Sequence, residues 1–162
     1  MIFAPELLQQ VTELLAAARA KELKIATAES CTGGLISALL TDVAGSSDVF
    51  ERGFVTYSNQ AKMDLLGVPE NLLRTHGAVS APVAWAMAEG ALRHARANIA
   101  VAVTGIAGPG GGTAEKPVGL VYIAVSNGSD TQVTEQRFWD IGRSAVRQAT
   151  VKAALALLSS TL

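Results

Sequence analysis

The chain has 162 residues, of which 49% are hydrophobic, and 13 Lys and Arg residues stand against 14 Asp and Glu residues for a net charge of −1. That apolar content is enough to bury a core, so a disordered chain is excluded. A protein that binds nucleic acid normally carries a basic surface, and the balanced charge therefore predicts no nucleic-acid partner.

The few cysteines and histidines limit the chemistry further. Cys31 is the only cysteine and there are two histidines, so we expect neither a disulfide framework nor a metal centre. The N-terminus lacks the basic and apolar segments of a signal peptide. Charges interrupt every apolar stretch well before the roughly 18 residues that a membrane span needs. We therefore predict one cytoplasmic domain over residues 1–162, without contact to a membrane.

Helices and strands alternate through the first half of the predicted structure. The first helix is predicted from apolar residues that recur on one helical face. The helix at 81–96 is predicted from the N-cap residue Ser80. The predicted elements are a helix from Pro5, a strand at 24–28, a helix ending at Gly45, a strand at 53–57, a helix at 59–67 and an Ala-rich helix at 81–96.

The second half begins with a strand at 98–104, whose nearly continuous apolar run is typical of a central strand. A glycine-rich loop follows, and the Asn127-Gly128 turn then predicts an antiparallel hairpin of strands at 118–125 and 132–139. The last helix is expected at 143–158, and both tryptophans, Trp85 and Trp139, are expected in the core. This order predicts an α/β fold, a three-layer α/β/α sandwich with a mixed sheet.

The segment from Glu29 to Gly34 leads from a predicted strand into a helix. The free N–H groups of a helix N-terminus favour developing negative charge, so a serine there can attack a carbonyl carbon while these groups hold the oxyanion. One alternative is that Ser30 or Thr32 is only an N-cap. Another is that Cys31 is the nucleophile, because helix N-termini lower the pKa of thiols.

Lys62 is predicted in the first turn of the next helix, again just after a strand. The positive end of the helix dipole disfavours a cation there, which would lower the pKa of the lysine and make it a usable general base. The alternative is a solvated Lys62 in a helix capped by Ser58 or Asn59.

The loop at 105–119 has neither a phosphate-binding P-loop pattern nor the context of a dinucleotide fingerprint. It is able to bring backbone N–H groups to an anionic ligand or to act as a lid, or else it is a connection without chemistry. Arg143 and Arg147 stand at the start of the last helix, where a bound phosphate or solvent would relieve their unfavourable interaction with the dipole.

Five segments together resemble the C-terminal domain of the CinA family. They are TAESCTGG (27–34), ERGFVTYSNQAK (51–62), GAVS (77–80), TGIAGPGGG (104–112) and KPVG (116–119). The resemblance implies a cofactor-free amidohydrolase that converts nicotinamide mononucleotide to nicotinate mononucleotide and ammonia. It further implies a mixed, mostly parallel sheet of about five strands, as in anticodon-binding domains, and a homodimer. The expected form is the stand-alone one, without the N-terminal domain of the longer members.

The same resemblance assigns the catalytic roles to Ser30 as nucleophile, Lys62 as base and Tyr57 as a group that orients or relays the proton. We expect the oxyanion to be held by the backbone N–H groups of Cys31, Thr32 and Gly33. The residues expected to bind the nucleotide substrate are Gly34, Asn59, Thr104, Gly105, Gly108 and Lys116. The alternatives are a non-catalytic nucleotide-binding or regulatory module, and a dimerisation domain that uses the helix at 81–96.

Overall fold

The structure is a computed structural model of the chain and describes residues 3–162. Its elements are α1 (Pro5–Ala20), β1 (Ile25–Glu29), α2 (Leu35–Thr41), a 3-10 turn (Ser46–Asp48), β2 (Phe50–Val55), α3 (Asn59–Leu66), α4 (Glu70–His76), α5 (Ala81–His94), β3 (Ile99–Gly105), β4 (Leu120–Ser126), β5 (Thr131–Arg137) and α6 (Arg143–Thr161).

The five strands form one mixed sheet in the order β2-β1-β3-β4-β5. Strand β1 pairs in parallel with both β2 and β3, whereas β4 is antiparallel to its neighbours β3 and β5. Only β4 therefore runs against the other four strands. The predicted hairpin and the three-layer fold with a mostly parallel sheet are confirmed.

Alternate residues of the central strand β3 face two separate cores. Ile99, Val101 and Val103 pack with α1, α2 and α6 on one face of the sheet. Ala100 and Ala102 pack with α3, α4 and α5 on the other. Because alanine projects little from the sheet, α5 lies close to it, as its own small residues predict.

The small residues of α5 pack against other elements of the same chain. Ala84, Ala88 and Ala91 are fully buried in the second core. At Gly90 the helix meets the end of α3 so closely that an added Cβ atom would lie 2.0 Å from the carbonyl oxygen of Leu66. This small-residue face therefore contacts the sheet and α3 within one chain and is not free to form an interface.

Several sequence predictions about the fold differ from the structure. Strand β2 spans Phe50–Val55 rather than 53–57, and β5 ends at Arg137 rather than at residue 139. Helix α2 ends at Thr41 rather than Gly45, and α4 was not expected as a separate helix. Pro69 begins α4: it occupies the N-cap position with φ −62°, close to the value that its ring imposes.

The prediction that both tryptophans lie in the core is wrong. Trp85 is 46% exposed and Trp139 is 59% exposed. Trp85 projects from α5 away from the face that packs on the sheet, and Trp139 follows the edge strand β5.

Candidate active site

The predicted motifs meet at the carboxyl ends of the parallel strands. Ser30 follows β1, Tyr57 lies two residues beyond β2, and Gly105 ends β3. Neighbouring parallel strands end at the same edge of a sheet, which is where open α/β sheets bind their ligands. The topology therefore brings together segments that are far apart in the sequence.

Ser30 and Lys62 form a hydrogen-bonded pair at this edge. The distance from Lys62 Nζ to Ser30 Oγ is 2.9 Å. Lys62 is 1% exposed and Ser30 is 8% exposed. The alternative of a solvated Lys62 is therefore wrong, although Ser58 does cap α3, accepting a hydrogen bond from the N–H of Ala61 at 3.0 Å.

Besides Ser30 Oγ, the Nζ atom of Lys62 has two further hydrogen-bond acceptors. Two carbonyl oxygens lie beside it, that of Thr56 at 2.8 Å and that of Tyr57 at 3.4 Å. Carbonyl oxygens only accept hydrogen bonds. A neutral amine can donate its two protons to them, and its lone pair is then directed at the hydroxyl proton of Ser30.

Burial lowers the pKa of Lys62 to about 8. It has the opposite effect on the thiol and raises the pKa of Cys31 to about 11, because burial disfavours the charged form of either group. The lysine is thus suited to accept a proton near neutral pH. Burial and not the helix dipole is the main cause of its shift, and the thiol of Cys31 stays protonated.

A buried carboxylate shapes the turn that carries Ser30. Glu29 accepts hydrogen bonds from the hydroxyl of Thr32 at 2.6 Å and from the N–H groups of Gly34, Ile36 and Ser37 at 3.1, 3.0 and 2.8 Å. Glu29 therefore satisfies the start of α2, the role that the alternative interpretation gave to Ser30 or Thr32. The hydroxyl of Ser30 remains free for Lys62.

The backbone N–H groups of the turn are not equally available. That of Gly33 donates to the carbonyl oxygen of Ser30 at 3.0 Å, and that of Gly34 donates to Glu29. Those of Cys31 and Thr32 donate to no oxygen atom within residues 3–162. Of the three donors expected for the oxyanion, Gly33 is already occupied and Thr32 is 0% exposed, so the N–H group of Cys31 is the one that a ligand can reach.

A cavity of about 200 Å³ opens beside the serine and lysine. Of the residues expected at the site, seven line it: Ser30, Cys31, Tyr57, Asn59, Lys62, Thr104 and Gly105. The hydroxyl of Thr104 donates to the carbonyl oxygen of Ala78 at 2.8 Å, which joins two walls of the cavity.

The other expected substrate-binding residues do not line this cavity. Gly34 lies in the turn behind Ser30, and Gly108 contributes only its carbonyl oxygen, to a neighbouring arginine. Lys116 lies outside because its ammonium group donates to the carbonyl oxygen of His76.

Arg143 is a cavity residue that the motifs did not single out. Its guanidinium group donates to the hydroxyl of Tyr57 at 2.8 Å and to the carbonyl oxygen of Gly108 at 2.9 Å. Tyr57 is 60% exposed, and its hydroxyl is paired with Arg143 rather than with Ser30 or Lys62. The only signal in the sequence was a cation at the unfavourable end of a helix.

The residues that line the cavity include two cationic side chains and no carboxylate. Within residues 3–162 no group of three or more His, Cys, Asp and Glu side chains is placed to hold a metal ion. No helix in the same range combines the length and the apolarity that a membrane crossing requires.

Fold and site define an α/β protein in which a serine and a lysine pair at the carboxyl ends of parallel strands. The chain belongs to the CinA family, since the profile of the CinA C-terminal domain matches residues 7–162. The resemblance seen in the five motifs is thereby confirmed.

Several relatives resemble the chain closely. The nicotinamide-nucleotide amidohydrolase PncC of Escherichia coli K12 is 48% identical over 153 residues, which cover 94% of this chain and 93% of that protein. A CinA-like protein of Syntrophobacter fumaroxidans is 58% identical over 140 residues, 86% of this chain but 33% of that protein. The chain thus spans about a third of the length of some curated relatives.

Solved structures agree with this assignment. The competence/damage inducible protein CihA from Agrobacterium tumefaciens superposes with a TM-score of 0.96 at 51% identity, covering 99% of this chain and 98% of that one. A CinA superfamily protein from Escherichia coli superposes with a TM-score of 0.92 at 33% identity, covering 100% and 95%.

Proposed function

We propose that the chain is an amidohydrolase that converts nicotinamide mononucleotide and water to nicotinate mononucleotide and ammonia. The observation that carries the proposal is the 2.9 Å contact between Ser30 Oγ and Lys62 Nζ in a nearly buried site. The 48% identity to an enzyme named nicotinamide-nucleotide amidohydrolase, over almost the whole chain, supports the same reaction and substrate.

In the first half of the reaction, Ser30 Oγ attacks the carboxamide carbon and its proton passes to neutral Lys62. The electron pair of the carbonyl bond moves to oxygen, and the oxyanion accepts a hydrogen bond from the free N–H group of Cys31, which lines the cavity. Donors that are fixed before the charge develops are worth more than solvent, because they do not have to reorganise. The C–N bond then breaks, and protonated Lys62 supplies the proton with which nitrogen leaves as ammonia.

The second half repeats these steps with water. Neutral Lys62 takes a proton from water as its oxygen attacks the ester carbon of the acyl-enzyme. The second tetrahedral intermediate collapses, and Ser30 leaves and recovers its proton from Lys62. The product is nicotinate mononucleotide, and the hydroxyl of Ser30 is regenerated.

We assign the rim of the cavity to the nucleotide part of the substrate. About 200 Å³ is less than the 300 Å³ or so of a typical ligand site, so we expect the cavity to hold the carboxamide end while the sugar phosphate extends outward. Arg143 at the rim is suited to a phosphate, since guanidinium groups bind its oxygens through two parallel hydrogen bonds. The hydroxyl of Tyr57 accepts a hydrogen bond from Arg143. We therefore assign Tyr57 to orienting this arginine rather than to proton transfer.

The homodimer implied by the family resemblance and the cytoplasmic location predicted from the sequence both remain predictions. Size-exclusion chromatography with light scattering tests the first, and fractionation of the source cells tests the second.

The test of the proposed function is ammonia release by the purified chain supplied with nicotinamide mononucleotide, with nicotinate mononucleotide measured in parallel. We expect equal amounts of both products. In Lys62→Met, kcat should fall by about 10²–10⁴-fold, the usual contribution of a positioned base. Saturable binding without turnover by the unaltered chain would contradict the proposal and favour a nucleotide-binding module.

A further inference from the structure

We infer that the turn between α4 and α5 supplies a second donor to the oxyanion, the backbone N–H group of Ala78, and that Ser80 is the residue that positions it. This inference rests on the proposed amidohydrolase activity, in which the N–H group of Cys31 otherwise holds the oxyanion alone. Ala78 lines the same cavity as Ser30, Cys31 and Lys62.

The N–H group of Ala78 is free to bind a ligand. Ala78 is half-buried and lies in the short connection between α4 and α5. Its N–H group donates to no oxygen atom within residues 3–162. The N–H group before it, that of Gly77, donates to the carbonyl oxygen of Leu73 at 2.9 Å and closes the end of α4. The first unused donor after α4 therefore belongs to a residue of the cavity wall.

The carbonyl oxygen of the same peptide group is turned away from the cavity. This oxygen belongs to Gly77 and accepts a hydrogen bond from the hydroxyl of Ser80 at 2.8 Å. Ser80 is 7% exposed, and both residues lie outside the wall of the cavity. The peptide between Gly77 and Ala78 is trans, so its N–H bond points away from its C=O bond. The N–H group of Ala78 is therefore directed away from Ser80, on the side of the cavity.

Ser80 uses its hydroxyl differently from most serines at its position. It is the N-cap residue of α5, where a serine side chain normally accepts a hydrogen bond from an N–H group of the first turn. Ser58 does so at the start of α3, where it accepts from Ala61. Within residues 3–162 the side chain of Ser80 makes no capping bond, and its hydroxyl donates back to Gly77. The hydroxyl thus holds the turn rather than the helix.

The carbonyl oxygens on either side of this peptide are held as well. Lys116 donates to the carbonyl oxygen of His76, and the hydroxyl of Thr104 donates to that of Ala78 at 2.8 Å. Together with the bond from Ser80, three consecutive carbonyl oxygens of the turn each accept a hydrogen bond from a side chain. The turn is therefore fixed before charge develops on the substrate, which is the condition for effective oxyanion stabilisation.

Cys31 and Ala78 reach the cavity from two different elements. Cys31 lies in the segment after β1, and Ala78 lies in the turn before α5. An oxyanion has lone pairs for more than one donor, and catalytic sites of this kind commonly combine several backbone N–H groups. Hydrogen bonds from both elements would also fix the carboxamide carbon relative to Ser30 Oγ.

The first experiment compares Ser80→Ala with Ser160→Ala. The control loses a bond of the same kind outside the cavity, since the hydroxyl of Ser160 also donates to the carbonyl oxygen three residues earlier, at 2.8 Å. With nicotinamide mononucleotide, Ser80→Ala should lower kcat by about 10-fold and leave KM within about threefold. This loss is smaller than the roughly 10²–10³-fold cost of removing an oxyanion donor, because the N–H group remains but is no longer fixed. Ser80→Thr, which keeps a hydroxyl, should retain most of kcat, and Ser160→Ala should match the unaltered chain.

A second experiment removes the donor itself. Lactic acid incorporated in place of Ala78 replaces the N–H group with an ester oxygen and keeps the methyl side chain. This ester should lower kcat by about 10²-fold. The control is the same replacement at Ala114, whose N–H group also lacks an acceptor within residues 3–162 but which lies outside the cavity.

Ligand affinities separate positioning from a purely structural role. An analogue with an aldehyde in place of the carboxamide adds to Ser30: a bond forms between Oγ and the aldehyde carbon, the hydroxyl proton passes to Lys62, and the carbonyl electron pair moves to oxygen. Its affinity should fall together with kcat in Ser80→Ala and in the Ala78 ester, because both depend on the oxyanion donors. Pyridine mononucleotide, which lacks the carboxamide, should bind to all variants equally.

Equal values of kcat for the esters at Ala78 and Ala114, or equal losses of affinity for the two ligands, would overturn the inference. A kcat for Ser80→Ala equal to that of Ser160→Ala would remove Ser80 as the positioning residue. If Ser80→Ala does not fold, the Ala78 ester decides. If the unaltered chain releases no ammonia, the proposed function itself fails.

Discussion

Lys62 is a cationic side chain in a place where most proteins would bury an apolar one. Within residues 3–162 its ammonium group forms hydrogen bonds only with Ser30 Oγ and two carbonyl oxygens, and no carboxylate pairs with the charge. An unpaired buried charge is costly and favours the neutral form. The residue thus gives up stability in exchange for a base whose neutral form is reached at a lower pH than that of an ordinary lysine.

The activity should follow the titration of this lysine. Because only neutral Lys62 accepts the proton of Ser30, kcat/KM should rise with pH and level off above the lysine pKa of about 8. Initial rates between pH 6 and 9.5 at low substrate concentration measure this profile. A profile that is flat, or that falls across pH 8, would remove Lys62 as the base.

The same lysine makes stability depend on pH. Its folded-state pKa of about 8 lies below the ordinary value of 10.5, so between these values the unfolded chain binds more protons than the folded one. The free energy of unfolding therefore rises with pH across this window, by up to about 3 kcal/mol at about 1.4 kcal/mol per pKa unit. Below pH 8 the full cost of burying the charge remains.

Denaturant unfolding of the unaltered chain and of Lys62→Met at pH 7, 8.5 and 10 tests this linkage. The variant lacks the titrating group, so the stability of the unaltered chain should increase relative to that of the variant as the pH rises. A difference that stays constant across the three pH values would contradict the assigned burial cost.

The sequence predicted which residues of a local segment belong to the site better than it predicted hydrogen bonds between distant segments. Ser30 and Lys62 were found because each follows a strand and begins a helical segment. The partners of Tyr57 and of the turn were not found, because the contact from Arg143 spans 86 positions and that from Arg147 to Cys31 spans 116. Only the folded sheet brings α6 to these segments.

At the scale of elements, the two faces of β3 explain how the helices are placed. The branched residues of one face pack against three helices, α1, α2 and α6. On the other face Ala100 and Ala102 project little, so α5 lies closer to the sheet. The alternation of large and small residues was readable in the sequence. The close contact of α5 with α3 was not, because it depends on where Gly90 lies relative to Leu66.

Replacing Gly90 with alanine tests that contact. The added Cβ atom would overlap the carbonyl oxygen of Leu66, a backbone atom that cannot rotate away. We expect a loss of about 1–3 kcal/mol in the free energy of unfolding, as is usual for overpacking. Gly110→Ala is the control, since among residues 3–162 no atom beyond its two chain neighbours lies within 4 Å of its added Cβ. Equal stabilities of the two variants would contradict the close approach of α3 and α5.

Across the whole molecule, the parallel strands β1, β2 and β3 gather the reactive groups at one edge of the sheet. The segments with motifs were predicted to end these strands, and the fold confirms that they do. Lys62 reaches Ser30, whereas Lys116 is directed to the carbonyl oxygen of His76. This difference depends on the register of the strands and on the path of the loops. No local pattern in the sequence specifies these.

The most direct test of Ser30 as the nucleophile compares ammonia release from nicotinamide mononucleotide by the unaltered chain, Ser30→Ala and Cys31→Ala. Ser30→Ala should lose about 10³-fold or more in kcat, as for other nucleophiles that act in a catalytic unit, and should still bind the nucleotide. Cys31→Ala should keep kcat within a few-fold, because its buried thiol stays protonated. Turnover retained by Ser30→Ala, or lost by a folded Cys31→Ala, would show that Ser30 is not the nucleophile.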